Sequence, residues 1–336
     1  VRLGFAGLGL AGSSRVTVCR KMGARCVGML GKAAFAWHTG RMIQKLEMLI
    51  ALAREQHFGR AAESIGVTQP SLSTGIKQLE AQLGVKLVLR GSRFGGLTPE
   101  GQRTLVWARQ IVGDARRLRE EMRFSREGLS GHLRIAVIPT ALTWASRLAS
   151  GFGVAHPNVN FTVLSRNSAD ILTMLENFDV DAGISYLDNE PLGHVSRAFL
   201  YRETYAVICR PEHALARRDR IAWRDLADEA LCLLTPDMQN RRIINRAFMQ
   251  AGLAPVARLE SNSTVVLATQ VEQAGMVTVL PDHLAAFLVA GRDLVMVPVE
   301  TGEPGPSVGL IAPYQEPHTP VIEALLTEAG RVAEGQ

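Results

Sequence analysis

The sequence predicts an α/β chain in three parts: a small, mainly helical head closed by a hairpin, one long helix, and a two-lobed α/β body. Three observations predict it. Short helical periodicities crowd residues 42–100. A proline-free amphipathic stretch follows from Gly101 to about Glu127. Strand and helix patterns then alternate to the C-terminus. A length of 336 residues with 47% hydrophobic content suffices for two or three domains with real cores. No apolar run reaches about 18 residues, so no membrane-spanning helix is expected.

Charge is unevenly placed. Residues 1–41 hold seven Lys/Arg and no acid, residues 42–130 carry a net +5, and residues 131–336 carry a net −7. A basic front on an acidic body fits a polyanion-binding head joined to a domain with another task. Cys19, Cys26, Cys209 and Cys232 share no zinc-like spacing and read as free thiols in a reducing, cytoplasmic compartment. No metal-binding or catalytic motif (HExxH, GxSxG or a P-loop) occurs, so no catalytic residue, metal or cofactor is expected and the chain does not read as an enzyme.

Residues 1–41 contain one distracting motif. Gly7, Gly9 and Gly12 match the dinucleotide fingerprint G-x-G-x-x-G. That fingerprint works only inside a βαβ unit with an acid about 20 residues on, and the first acid here is Glu47. The segment is expected to be an over-extended start or a poorly ordered tail. A cofactor-binding oxidoreductase is the rival reading, and it rests on those three glycines alone.

From Met42 the pattern sharpens. Leu46, Leu49, Ile50 and Ala53 make one helix face. A second helix runs from about Phe58 to Ile65, its inner face including the small pair Ala61 and Ala62, and Gly66 ends it. Thr68 caps a third helix whose first turn holds Pro70, where a missing N–H costs nothing. Leu72, Ile76 and Leu79 pack that helix. Its other faces carry Gln69, Ser71, Ser73, Thr74, Lys77 and Gln78, the hydroxyls, amides and cation that base edges and phosphates accept. Val85 to Leu89 then reads as a strand, and a glycine-rich tip carries Arg90 and Arg93. This is a wing placed to lie on the DNA backbone or minor groove. Together these residues make a winged helix-turn-helix over 42–100. Its DNA-binding residues are Gln69, Pro70, Ser71, Ser73, Thr74, Lys77, Gln78, Arg90 and Arg93.

The stretch Phe58 to Gly101, FGRAAESIGVTQPSLSTGIKQLEAQLGVKLVLR…LTPEG, resembles the signature of LysR-type transcriptional regulators. Matching positions include Ala61-Ala62, Gln69-Pro70, Ser73, Ile76, Leu79-Glu80, Leu83-Gly84, Arg90, Leu97-Thr98 and Gly101. Val88 stands where the family usually has Phe. The resemblance implies a homodimer or homotetramer on double-stranded DNA, a small-molecule co-inducer, and RNA polymerase as the partner at promoters. It implies action on the nucleoid in the bacterial cytoplasm.

Residues 101–130 read as the linker. Leu105, Ala108, Ile111, Val112, Ala115, Leu118 and Met122 form one apolar stripe along about 40 Å of helix, with arginines on the other faces. Such a stripe must be buried, and a second copy of the helix is the natural cover. Gly128, Ser130 and Gly131 make a short hinge.

Residues 131–336 begin with a βαβαβ alternation, which predicts a parallel, doubly wound sheet, and a second α/β unit follows from Glu203 onward, giving two small lobes linked by crossovers. Two such lobes resemble a periplasmic binding protein, as the LysR effector domain does. Ligands of such folds sit at strand C-termini, beside helix N-termini. Polar residues at those junctions are the effector-site candidates: Thr140, Ser165, Ser168, Thr235, Asn262, Ser263 and Thr264. Arg166, Arg241 and Arg242 sit near the junctions and would suit an anionic effector.

Overall fold

The computed structural model describes residues 42–90, 94–188, 191–300 and 304–334. The Gly7–Gly12 motif lies outside the described residues. The chain forms two compact units that divide within its long helix, after Ala115.

The first unit is built on α1 (42–55), α2 (Phe58–Ser64) and α3 (Gln69–Leu83). His57 caps α2, its Nδ1 accepting from the amides of Gly59 at 3.1 Å and Arg60 at 3.2 Å. Gly66 ends that helix with φ +68. Thr68 caps α3 through the Ser71 amide, and Gly84 closes it in the left-handed region. Leu49, Leu52, Ala61, Leu72, Ile76 and Leu79 are buried in one core. α1 and α3 meet closely at Gly75, where an added Cβ would lie 2.3 Å from Met48 Sδ.

The hairpin β1 (Val88–Arg90) and β2 (Phe94–Leu97) is antiparallel. Two side chains lock it to the helices. Glu80, buried at the end of α3, accepts from the amides of Leu87 at 3.1 Å and Val88 at 3.4 Å. Thr98 donates to Lys86 O and accepts from Gly101 N at 2.9 Å, which caps α4 (Pro99–Glu127). Gly101 has no room for a side chain, since a Cβ there would stand 2.1 Å from Leu87 O.

The expected single stripe on α4 divides in two. Leu105, Ala108 and Val112 are buried in the core of the first unit. Trp107, Ile111, Leu118 and Met122, at spacings of four and seven residues, are exposed. A 3.6-residue period with wide apolar content covers more than one face, so the helix serves two surfaces at once.

The second unit holds both lobes. In lobe 1, β3 (Gly131–Val137), β4 (Val159–Ser165), β5 (Ala182–Tyr186), β6 (Val195–Arg202) and β12 (Ser307–Pro313) form a sheet ordered β4-β3-β5-β12-β6. Its β4-β3-β5 core is parallel, as the βαβαβ alternation predicts. β12 and β6 join it antiparallel, so the complete sheet is mixed. Helices α5 (Leu142–Ala155), α6 (Ser168–Glu176) and α10 (Pro320–Glu334) cover it. The last turns of α4 are tied to this lobe. Arg116 Nη1 donates to Phe178 O at 3.0 Å, and Arg117 Nη1 to Pro317 O at 2.9 Å.

Lobe 2 is inserted into lobe 1. It comprises β7 (Tyr205–Cys209), β8 (Leu231–Leu234), β9 (Ala257–Ser261), β10 (Thr278–Pro281) and β11 (Val295–Pro298). Helices α7 (Gln239–Gln250), α8 (Thr264–Ala274) and α9 (Asp282–Val289) complete it. β10 and β11 flank β7 antiparallel, while β8 and β9 pair in parallel. The chain crosses between the lobes along two adjacent straps, joined by Glu203 N donating to Pro306 O at 3.0 Å. They touch so closely that a Cβ on Gly305 would meet Glu203 O at 1.6 Å.

Candidate functional site

Two separate surfaces carry the candidate residues. The first is the outer face of α3. Gln69, Pro70, Ser71, Thr74, Lys77 and Gln78 are exposed and Ser73 is half-buried, while Leu72, Ile76 and Leu79 point into the core. The Ser71 hydroxyl lies 2.8 Å from Thr68 Oγ1 and shares in the cap. The side chain of Arg90, which ends β1, and all of Arg93 lie outside the described residues. Sequence reasoning did not find the role of Glu80, whose buried carboxylate fixes the hairpin against α3. An acid between Leu79 and Ala81 on a buried face is the signal that was available.

The second is a cavity between the lobes, of about 10 Å³ measured to the centres of water-sized spheres and so with room for about one water molecule. Strand ends from both lobes line it: Ile138, Pro139 and Thr140 after β3, Tyr186 at the end of β5, and Leu234 at the end of β8. The starts of two helices complete it, Asn167 and Ser168 at α6 and Met238, Gln239 and Asn240 at α7. α6 is capped by Asn167, whereas no side chain caps α7. Across the rim, Asn167 Nδ2 donates to Asp237 Oδ2 at 3.3 Å, and His283 Nε2 lies 3.0 Å from Thr140 O.

Thr140 and Ser168 are the two predicted effector residues that line this cavity. Ser165 is exposed at the end of β4, its carbonyl taking a hydrogen bond from Arg166. Thr235 follows Leu234 yet does not line the cavity, whose wall on that side is Leu234 with Met238, Gln239 and Asn240. Asn262, Ser263 and Thr264 form the β9–α8 junction, away from the lining, where Ser261 Oγ accepts from Ser263 N. The arginines sit elsewhere too. Arg241 is buried, donating to Leu234 O at 2.7 Å and Glu260 at 2.8 Å, and neither Arg166 nor Arg242 reaches the lining. Sequence reasoning missed Asn167, Tyr186, Gln239 and Asn240. It took the first hydroxyl after each strand, whereas the cavity uses strand termini and first helical turns.

Two lining groups are poorly satisfied. Thr140, 1% exposed, and Asn240, 3% exposed, make no hydrogen bond of normal geometry through Oγ1 or the side-chain amide. Both lie close enough to Tyr186 to act on its hydroxyl. Behind Tyr186 stands Glu203, fully buried, accepting from Tyr186 Oη at 3.1 Å and Tyr205 Oη at 2.7 Å. Burial pushes its carboxyl up to about 7, against the opposing pull of the tyrosine hydroxyls and of His283. Among the described residues no cluster of His, Cys, Asp or Glu could hold a metal ion.

Comparison with known proteins matches both parts of the chain. The family model for the bacterial regulatory helix-turn-helix protein, lysR family, matches residues 43–102. The LysR substrate binding domain model matches residues 126–334, more than half of the chain. This chain belongs to the LysR family of bacterial transcriptional regulators. The LysR-type signature from Phe58 to Gly101 therefore marks a DNA-binding head, and the two-lobed unit is the substrate-binding domain of the family. Among relatives, the hydrogen peroxide-inducible genes activator of Dickeya chrysanthemi is 30% identical over 275 residues, covering 80% of this chain and 88% of its own. The regulator XapR of Escherichia coli is 28% identical over 244 residues, 72% of this chain and 83% of its own. A full-length OxyR variant from Pseudomonas aeruginosa superimposes with a TM-score of 0.66 at 25% identity, covering 87% of this chain and 99% of that one. CbnR bound to its target DNA superimposes at 0.57 and 19% identity, which shows the shared fold alone. No described helix is long and apolar enough to cross a membrane.

Proposed function

We propose that this LysR-family regulator reads DNA with the outer face of α3 and senses a small molecule in the inter-lobe cavity. The single observation that carries the sensing half is a cavity between two lobes lined by strand ends and helix starts, among them the buried Thr140 and Asn240, which make no hydrogen bond of normal geometry. Buried polar groups left unsatisfied cost free energy that a ligand recovers. The reading half rests on the exposed Gln69, Pro70, Ser71, Thr74, Lys77 and Gln78, with Ser73 beside them. The exposed Trp107, Ile111, Leu118 and Met122 on α4 support pairing of two copies through that helix, and a homotetramer through further contacts. RNA polymerase is then the partner at the promoter, and the protein works on the nucleoid in the cytoplasm.

Peroxide sensing, named for several relatives, is not carried over to this chain. The described cysteines, Cys209 and Cys232, are wholly buried in β7 and β8, and burial pushes both thiols up to about 11. The thiolate that reacts with peroxide is scarce at neutral pH in such a setting. Cys19 and Cys26 lie outside the described residues.

A gel shift with DNA upstream of a neighbouring gene tests the reading head, and a promoter fusion tests the sensor. Thr140→Val is expected to keep wild-type DNA affinity and lose most of the inducer response. A variant with full response removes Thr140 from the site, and a protein that shifts no such DNA overturns the regulator role.

A further inference from the structure

Glu203 is an acid buried where the lobes join. It stands on one strap, its amide bonded to Pro306 O of the other, and its side chain is wholly enclosed. Groups from both lobes enclose it. Tyr186, at the end of β5 in lobe 1, donates to the carboxylate at 3.1 Å, and Tyr205, at the start of β7 in lobe 2, donates at 2.7 Å. Tyr201 from β6 and His283 from α9 face it as well, with Asp282 beside His283 at 3.6 Å. Arg202, the preceding residue, turns outward to Gly305 O at 3.2 Å. His283 closes the cover across the junction. Its Nε2 lies 3.0 Å from Thr140 O of lobe 1, and its ring meets Tyr201 and Trp144 edge-on at 4.6 and 6.2 Å between centroids. Because lobe 1 and lobe 2 each supply part of this cover, drawing the lobes apart breaks it and admits water to the carboxylate.

Two arrangements of the lobes therefore treat this acid differently. In the one seen here burial pushes its carboxyl up to about 7, against the pull of both tyrosine hydroxyls, so the neutral form is favoured. Neutral Glu203 asks for fewer donors, and the Tyr186 hydroxyl then has Thr140 of lobe 1 and Asn240 of lobe 2 at hand as partners. With the lobes apart and water on the carboxylate, the ionised form is favoured. The arrangement that binds a proton more tightly is the one that protons stabilise. We propose that Glu203 is a proton-operated latch between the lobes: protonated, it holds them in the arrangement seen here, and ionised, it favours their separation. The ligand of this latch is the proton. It needs no room in the cavity, and the latch stands whether or not that cavity is the effector site. Tyr186 and Tyr205 are positioning residues, each steadying the ionised carboxylate from its own lobe.

The test is the distance between the lobes, read by pulsed electron resonance on the full-length protein at pH 6, 7 and 8. Spin labels go on Val154→Cys in α5 and Val256→Cys before β9, both highly exposed, and Cys19→Ser and Cys26→Ser leave only the buried Cys209 and Cys232 beside them. Labelled chains are diluted with unlabelled ones, so that only distances within one chain are read. Without further change at the junction, the ratio of long to short distances is expected to rise by up to about ten-fold from pH 6 to pH 8, levelling off above about 7. In Glu203→Gln the short distance should persist at every pH. Tyr205→Phe keeps the ring and removes one donor to the ionised carboxylate, so the rise should steepen and level off at higher pH, a movement that a merely structural role does not produce. A ratio that is flat in the parent protein, or that falls with pH, overturns the proposal. A rise unchanged in Glu203→Gln also overturns it and assigns the titration to His283. Should Glu203→Gln fail to fold, a parent-like profile in Tyr205→Phe overturns the proposal in its place.

Discussion

Three residues act chiefly through what surrounds them. Gly101 sits where a methyl group would stand 2.1 Å from Leu87 O, a backbone atom that cannot step aside. Gly101→Ala should destabilise the head by about 2 kcal/mol or more, visible as an earlier unfolding transition and weaker DNA binding at the same temperature. Glu203 carries its own pH signature. Its folded-state carboxyl titrates at about 7 against an ordinary 4.5, so the folded protein holds that proton while the unfolded chain releases it. Stability from this group is full below pH about 4.5 and falls as pH rises to about 7, by up to about 3 kcal/mol, then levels off. Urea unfolding across that range should show the slope in the wild type and lose it in Glu203→Gln. An unchanged slope would place the titration on another group. Lys77 is surrounded by solvent. It is exposed on α3 beside Thr74 and Gln78, and under the proposed reading its cation meets a phosphate. Lys77→Ala should weaken binding to all DNA sequences alike and lower the salt slope of log K by about one.

At the scale of elements, α4 is the part whose role is divided. One face is buried with the core of the first unit, and Trp107, 63% exposed, begins the other. Replacing Trp107 and Ile111 together with Ser should leave the head folded and shift the protein toward monomer in sedimentation analysis at micromolar concentration. A dimer unaffected by the pair would place the interface elsewhere. The same helix shows what a sequence reveals and what it hides. Its proline-free run from Gly101 to Glu127 was legible, and so were the α3 cap at Thr68, the left-handed Gly66 and the parallel β4-β3-β5 core. Each depends on neighbours within a few residues or on a strict period. Which apolar residues of α4 face which surface was not legible, because that depends on partners distant in sequence. The edge strand β6 and the short β11 escaped notice for the same reason. Their alternation is weak, and their pairing to β12 and β7 defines them. The cavity was half legible. Thr140 and Ser168 follow strands at the expected junctions, while Asn240 and Tyr186 line the cavity because α7 starts with Gln239 and Asn240 and β5 ends at Tyr186.

For the whole molecule, charge and connectivity divide the labour. The basic N-terminal part and the acidic remainder fit a protein drawn to DNA at one end only. The lobes are joined by two touching straps at Glu203 and Gly305, and by contacts across the cavity rim at Asn167 and His283. On the proposed reading of the cavity as the effector site, a ligand there would act next to the straps, as a sensor whose lobes move about them requires.

The insertion of lobe 2 into lobe 1 also sets an order of events on the ribosome. β12 lies in the middle of the lobe 1 sheet, between β5 and β6, yet it is made after every strand of lobe 2. As the chain emerges, lobe 2 can close its own sheets while lobe 1 still waits with a gap at its centre. The nascent protein therefore passes through a stage with a finished inner domain and an open outer one, its β5 and β6 edges bare until residues 307–313 arrive.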